Sequence, residues 1–202
     1  MNCLYFMKAL RGVRIAVLVR HGESEANVRK IISDDLNGYP LTERGMRQVE
    51  FTANQLRGLH LDGILTSPVQ RAMQTANIIG SALNLVPAIE GNITESGMGP
   101  YNNTMMAGLP PGSRDELGME SWNSQVLRMR TVLDSIEDVH ILVSHAMPIR
   151  AAIASYLDLD EVESFGIEIR NASMSVIDVQ NEKIISIGSL LLSDRVKSML
   201  AH

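Results

Sequence analysis

The sequence carries a single cysteine, Cys3, in 202 residues. That excludes an internal disulfide and any metal centre built on several thiolates, and it fits a reducing compartment. Aromatic residues are scarce at 4%, whereas methionines number 12. Flexible thioethers are therefore expected to fill gaps that rings fill elsewhere. Excess positive charge is missing too: the net charge is −5, which argues against nucleic acid as a partner. No stretch approaches the ~18 consecutive apolar residues of a membrane span, so no membrane is expected as a partner. The first twelve residues do not read as a secretory signal, because Lys8 and Arg11 interrupt the apolar piece and no small-residue cleavage site follows. These absences together lead us to expect a cytoplasmic protein.

What is present is a globular composition with 45% hydrophobic residues. The length suits one domain over 1–202, with a lid insertion at about 96–114. Ile15 to Val19 is short, apolar and rich in β-branched residues, and reads as a buried strand. Similar short runs recur at Ile64 to Thr66, weakly over 86–94, and at Val139 to Val143; two late strands are expected at Met174 to Val179 and Ile184 to Ile187. Between them lie helical patterns: Thr42 to about Arg57, Pro68 to about Leu83 with Ser67 as cap, Asp115 to Glu137, Pro148 to about Leu157, and Asp194 to Leu200. Residues 31–41 and 96–113 read as irregular. Strands alternating with helices imply an α/β fold, a mostly parallel sheet covered by helices on both faces.

The polar residues fall in a telling pattern. Arg20 and His21 end the first strand, Arg71 opens the helix after the second, Glu95 follows the third, and His145 ends a fourth. In a doubly wound sheet all of these places lie along one edge, where ligands bind. Two arginines and two histidines around one carboxylate suit a phosphoryl group in flight, whose equatorial oxygens carry the charge. A histidine can be the nucleophile, and a carboxylate can protonate the leaving oxygen and then deprotonate water. Glu90, five residues from Glu95, is a rival for that last role. A metal site is a competing reading of the histidines and the glutamate. It lacks local ligand spacing such as His-Glu-x-x-His, and the neighbouring arginines oppose a cation.

Leu18 to Ser24, Leu-Val-Arg-His-Gly-Glu-Ser, resembles the signature of the histidine phosphatase superfamily, also called phosphoglycerate mutase-like. Thr66-Ser67-Pro68, Arg71-Ala72 and Gln74-Thr75-Ala76 resemble its second motif, Leu41 to Gly45 the segment between, and Ser144-His145 the late Ser-His-Gly motif. The resemblance implies a three-layer sandwich with a short lid. It implies His21 as the residue that becomes phosphohistidine, and Arg20, Arg71 and His145 as holders of the phosphoryl oxygens. Asn27 is implied as a further donor, Glu95 as proton donor and acceptor, and the backbone N–H of Ala146 as a donor where the family usually has glycine. No metal or other cofactor is implied, except 2,3-bisphosphoglycerate as phosphoryl donor if the protein is a mutase.

Three activities follow from these residues. One is a phosphatase acting on small phosphomonoesters; a second is a cofactor-dependent mutase interconverting 3- and 2-phosphoglycerate; a third is an inactive phosphoryl-binding module. Every inferred position holds a competent residue, which disfavours the third. Ser96 to Ser113 carries no charged side chain and so cannot itself clamp a second anion, as a mutase must. That favours the phosphatase, with Arg44 and Arg114 as the cations a mutase would have to recruit. The uncharged lid also suggests neutral or apolar groups near the phosphate, facing Tyr101, Asn102, Asn103, Met105 and Met106.

Overall fold

The computed structural model describes residues 13–201; the reading of Met1 to Gly12, Cys3 included, lies outside them. Among the described residues eight strands form: β1 (Ile15–Arg20), β2 (Ile31–Ile32), β3 (Gly63–Thr66), β4 (Pro87–Ile89), β5 (Thr104–Met105), β6 (Val139–Ser144), β7 (Met174–Asp178) and β8 (Lys183–Ser189). The helices are α1 (Glu25–Arg29), α2 (Glu43–Leu56), α3 (Gln70–Leu83), α4 (Trp122–Ser135), α5 (Ala146–Leu157), α6 (Glu161–Ser164) and α7 (Asp194–Met199). Six strands make one sheet in the order β4-β3-β6-β1-β7-β8. The first four run parallel, and β7 and β8 add an antiparallel edge.

β1 is buried from Ile15 to Val19, and its alternation splits the interior in two. Val17 and Val19 join one core with Val49, Ala53 and Leu56 of α2, Ala76 and Ile79 of α3, and Val196 of α7. Ala16 and Leu18 join the other, with Met129 and Leu133 of α4 and Ile149 and Ile153 of α5. Successive side chains of a strand point to opposite faces, so one six-residue strand organises a three-layer sandwich. A third, small cluster of Ile32, Met98 and Met119 holds the segment after Glu95 against the body. Methionines thus do fill interior gaps.

Several element boundaries differ from the sequence reading. The helix expected over 115–137 begins only at Trp122, because Gly118 sits at φ +67° and Ser121 then caps, accepting from the N–H of Ser124 at 3.1 Å. The helix expected from Pro68 begins at Gln70, since the Ser67 hydroxyl accepts from the Val69 N–H at 3.2 Å and has a second partner. The helix placed at Pro148 starts two residues earlier, at Ala146. The weak strand over 86–94 shrinks to Pro87–Ile89, followed by a 3-10 turn at Gly91–Ile93. Residues 31–41 and 96–113 are not wholly irregular, because β2 and β5 pair antiparallel.

Two glycines set how closely the turn after β1 meets α2. A Cβ on Gly22 would lie 2.6 Å from the Gly45 carbonyl oxygen, and one on Gly45 would lie 2.0 Å from that of Glu23. Gly45→Ala should therefore destabilise the protein by about 3 kcal/mol or more, an overpacking penalty against immovable backbone. Urea unfolding of the variant checks this; a midpoint equal to that of the parent would refute it.

Candidate active site

Because β4, β3, β6 and β1 are parallel, their carboxyl ends share one edge, and all the expected site residues sit there. The turn after β1 is unusually well held. Its four successive N–H groups reach four different elements: His21 donates to Ser144 O (3.0 Å), Gly22 to Thr75 Oγ1 (3.1 Å), Glu23 to Gln48 Oε1 (2.9 Å) and Ser24 to Asn27 Oδ1 (3.0 Å). A buried backbone donor must find a partner, and here the partners fix the turn.

His21 is buried, and its Nδ1 lies 2.7 Å from the Gly22 carbonyl oxygen. A carbonyl only accepts, so Nδ1 carries the hydrogen and Nε2 keeps its lone pair. That lone pair accepts from Arg71 Nε at 3.2 Å. Arg71, buried at the start of α3, also donates through Nη2 to Ser33 O (2.8 Å) and Glu95 Oε2 (3.4 Å). His145 is fully buried; its Nε2 lies 2.8 Å from the Ser67 hydroxyl and its Nδ1 3.4 Å from Glu95 Oε2. The Glu95 carboxylate can only accept, so the imidazole hydrogen belongs on Nδ1 facing it, and the Ser67 hydroxyl donates to Nε2. The two imidazoles lie 5.1 Å apart, centroid to centroid. Glu95 is fixed by the Ser96 N–H on Oε1 at 2.9 Å. The Ser144 hydroxyl donates to Ile93 O at 2.7 Å and so draws this loop over the end of β6.

Arg20 donates Nη1 to Ile169 O at 2.7 Å. Three buried nitrogens, Arg20 Nε, Arg71 Nη1 and His145 Nδ1, have no hydrogen-bond partner. Buried polar groups are nearly always paired, so three such donors around one carboxylate mark a place for an anion. Asn27 belongs to the same neighbourhood, and its Oδ1 accepts from Ser24 and from Asn171 Nδ2 (3.0 Å). Ala146 opens α5 with an ordinary negative φ, so its Cβ is accommodated and its N–H stands at a helix N-terminus. Glu90, the rival carboxylate, instead accepts from Asn92 N at 2.8 Å in the preceding turn.

Charge is the dominant feature. Burial pulls Arg20 down to about 10, with Arg150 and Arg71 pushing the same way and Glu95 opposing. Burial, then Arg71, holds both His21 and His145 well below the ordinary histidine range. Both imidazoles are therefore neutral at neutral pH. Among the described residues, ligand atoms of His21, Glu95 and His145 lie within 4.8 Å of one another and could hold a metal by their spacing. The Arg71 guanidinium contacts two of the three and opposes a cation there electrostatically.

Sequence reasoning missed three contributors. Ser67 was read as a helix cap and serves His145 as well. Asn171 holds the His21 carbonyl at 3.2 Å as well as Asn27, and Arg150, held by Ile167 O at 2.9 Å, lies near Arg20. No local signal marks the last two; their places depend on the packing of a distant loop. The lid residues also differ from expectation. Asn102 and Asn103 donate to the Asp35 carboxylate, each at 2.7 Å, so they anchor the lid instead of facing a ligand, while Met105 and Met106 are exposed. Arg114 folds under the lid, donating to Glu120 O at 2.7 Å and to Ser96 Oγ, so it is already engaged.

The buried neutral histidines have a thermodynamic consequence. A histidine whose folded pKa is depressed binds its proton in the unfolded chain first. The stability it contributes is complete above pH ~6.5 and is lost as pH falls below that value toward the folded pKa. Two such groups should add up to about 2.7 kcal/mol of lost stability per pH unit below ~6.5. Denaturant titrations between pH 7.5 and 5 should show a steeper decline for the native protein than for a His21→Asn/His145→Asn variant; parallel curves would contradict the assignment.

With this geometry in view, comparisons with known proteins are informative. The model of the histidine phosphatase superfamily (branch 1) matches residues 16–187. A 2,3-bisphosphoglycerate-dependent phosphoglycerate mutase of Thermoplasma acidophilum is 38% identical over 197 residues, covering 93% of this chain and 98% of its own. Among solved structures, a mycobacterial glucosyl-3-phosphoglycerate phosphatase complexed with VO3 superposes with TM-score 0.75 at 22% identity, covering 87% of this chain and 99% of that one. The phosphoserine phosphatase of Entamoeba histolytica, in complex with 3-phosphoglyceric acid, gives TM-score 0.74 at 20% identity, covering 90% and 98%. At such identity the structures speak to the fold, which they share. No described helix is long and apolar enough to cross a membrane. The family model over most of its length, and a relative matched almost end to end, place this chain in the histidine phosphatase superfamily, a family of phosphatases and mutases.

Proposed function

We propose that the protein transfers a phosphoryl group from a small phosphomonoester to Nε2 of His21, without a metal, and that water then removes it. The observation that carries this reading is the orientation of His21. Its Nδ1–H is tied to Gly22 O, and its Nε2 lone pair faces the Arg71 guanidinium, which also contacts Glu95. A substrate phosphate displaces the Arg71–His21 contact and takes over the guanidinium. Nε2 then forms a bond to phosphorus while the ester P–O bond breaks. Glu95 delivers a proton to the departing oxygen. In the second step the resulting carboxylate takes a proton from water, whose oxygen bonds phosphorus as the P–N bond breaks. Arg20, Arg71, Asn27, His145 and the Ala146 N–H hold the equatorial oxygens, supplying the positive charge that Mg²⁺ supplies in other phosphoryl-transfer sites.

A second reading is a mutase that uses 2,3-bisphosphoglycerate as donor. The extended identity to the Thermoplasma enzyme supports it. Against it stands the lid: Ser96 to Ser113 holds no charge, and Arg114 is occupied by Glu120, Ser96 and Gly97. A mutase has to keep water out while its intermediate turns round. Arg44, the other cation the sequence offers for a clamp, pairs with Glu23 at 3.3 Å on the exposed surface.

Rapid quench with ³²P-labelled phosphomonoester and excess chelator should trap acid-labile, base-stable phosphate on His21. Absence of label, together with near-parental turnover by His21→Ala, would rule the covalent scheme out. The acceptor is read from products. Given 3-phosphoglycerate with 2,3-bisphosphoglycerate, the protein should release inorganic phosphate faster than it forms 2-phosphoglycerate. Isomerisation far faster than release would establish the mutase instead.

A further inference from the structure

Glu95 lies in a stretch without regular structure, between the 3-10 turn at Gly91–Ile93 and another at Gly99–Tyr101. Its contacts in the pocket are long: Arg71 Nη2 and His145 Nδ1 each lie 3.4 Å from Oε2. Contacts of that length do not fix where a carboxylate stands. The backbone that carries it is held from behind instead, and mostly by one side chain.

That side chain is Arg128 of α4, which pairs with Glu120, just ahead of the same helix; the two are 12% and 18% exposed. Arg128 Nε and Nη2 donate to Glu120 Oε1 and Oε2 at 2.7 and 3.0 Å, a two-bond fork. The other donors go to carbonyls of the Glu95 loop. Nη1 reaches Asn92 O at 2.6 Å and Thr94 O at 2.9 Å, and Nη2 reaches Glu95 O at 3.4 Å. These five contacts match the five N–H bonds of a guanidinium. Arg128 thus has no donor left for a ligand, whereas Arg20 Nε and Arg71 Nη1 are unpartnered. Glu120 grips the far end of the loop. Its Oε2 accepts from the Gly97 N–H at 3.0 Å, and its own N–H donates to Gly97 O at 2.9 Å. With the Ser144 hydroxyl on Ile93 O, every carbonyl from Asn92 to Glu95 accepts from a side chain. One ion pair therefore brackets Glu95 on both sides.

We propose that Arg128 and Glu120 are positioning residues for proton transfer by Glu95: they hold its loop where the carboxyl group meets the departing oxygen, and they bind no ligand themselves. This inference rests on the role given to Glu95 above. A displacement of about 1 Å at a reacting group can cost about 10² in rate, and without the pair an irregular loop is left with three unpaired carbonyls and an unpaired N–H.

Rapid-quench rates of phosphohistidine formation in the full chain test this, with an alkyl phosphate and with p-nitrophenyl phosphate, whose phenolate leaves without a proton. Arg128→Met keeps the stem and removes every donor. It should slow the alkyl phosphate about thirtyfold or more and p-nitrophenyl phosphate less than about threefold. Glu95→Gln should show the same split. The double variant Arg128→Met/Glu95→Gln should stay within about threefold of Glu95→Gln alone, because residues that act as a unit are not additive. Arg128→Lys keeps the charge without the fork and should recover part of the alkyl rate. If Arg128→Met does not fold, Arg128→Lys and Glu120→Gln carry the same comparison. Equal losses on both substrates, or losses that multiply in the double variant, overturn this inference alone. If Glu95→Gln itself shows no split, the role of Glu95 falls, and this inference with it.

Discussion

The four successive N–H groups of His21 to Ser24 are the constraint on which the site depends. They are held by β6, α3, α2 and α1 respectively. A turn bonded to four elements has little freedom, and the imidazole it carries is further fixed by its own Nδ1–H on Gly22 O. Preorganisation of this kind removes the entropy that a mobile nucleophile would lose on reaction. It also explains the close contact of Gly22 with Gly45: the turn is drawn against α2 until no side chain fits between them.

Around that turn the fold collects positive charge and then withholds water. Arg20, Arg71 and Arg150 are all depressed by burial; Glu95 opposes this at all three, and Asp34 and Asp35 add to it at Arg71. The same field, with burial, keeps both imidazoles uncharged. A neutral nucleophile and a cationic cradle are thus produced by one arrangement, because a guanidinium holds its proton under conditions in which an imidazole gives it up.

The lid has a structural logic of its own. Its lack of charge reads, in the sequence, as a surface for neutral groups. In the fold its polar side chains turn inward to Asp35, Met98 N–H meets Asp34, and Arg114 bonds beneath it. The Asp34-Asp35 pair, read only as a turn signal, proves to be the lid's anchor. Exposed positive charge is found instead along α2 and the loop before β7, on Arg44, Arg47 and Arg170.

The layers and the shared edge follow from the order of the amino acids. Short, near-continuous apolar runs at 15–19 and 139–143, separated by helical patterns, point to buried parallel strands, and parallel strands carry their terminal residues to one side; hence Arg20, His21, Arg71, Glu95 and His145 are legible as a group. Family motifs added Asn27 and Ala146. Helix starts at Gln70, Ala146 and Trp122 differ from the sequence pattern because the hydrogen bonding of Ser67, the bond from the Ile149 N–H to His145 O and the positive φ of Gly118 outweigh propensity. Only the tertiary structure decided that Glu95 and not Glu90 joins the histidines, that Ser67 serves His145, and that Asn171 and Arg150 reach the site. Those facts depend on side-chain contacts between residues as many as 150 positions apart. Local sequence encodes which face an element buries, whereas the partner a polar atom meets is set by the packing of the whole chain.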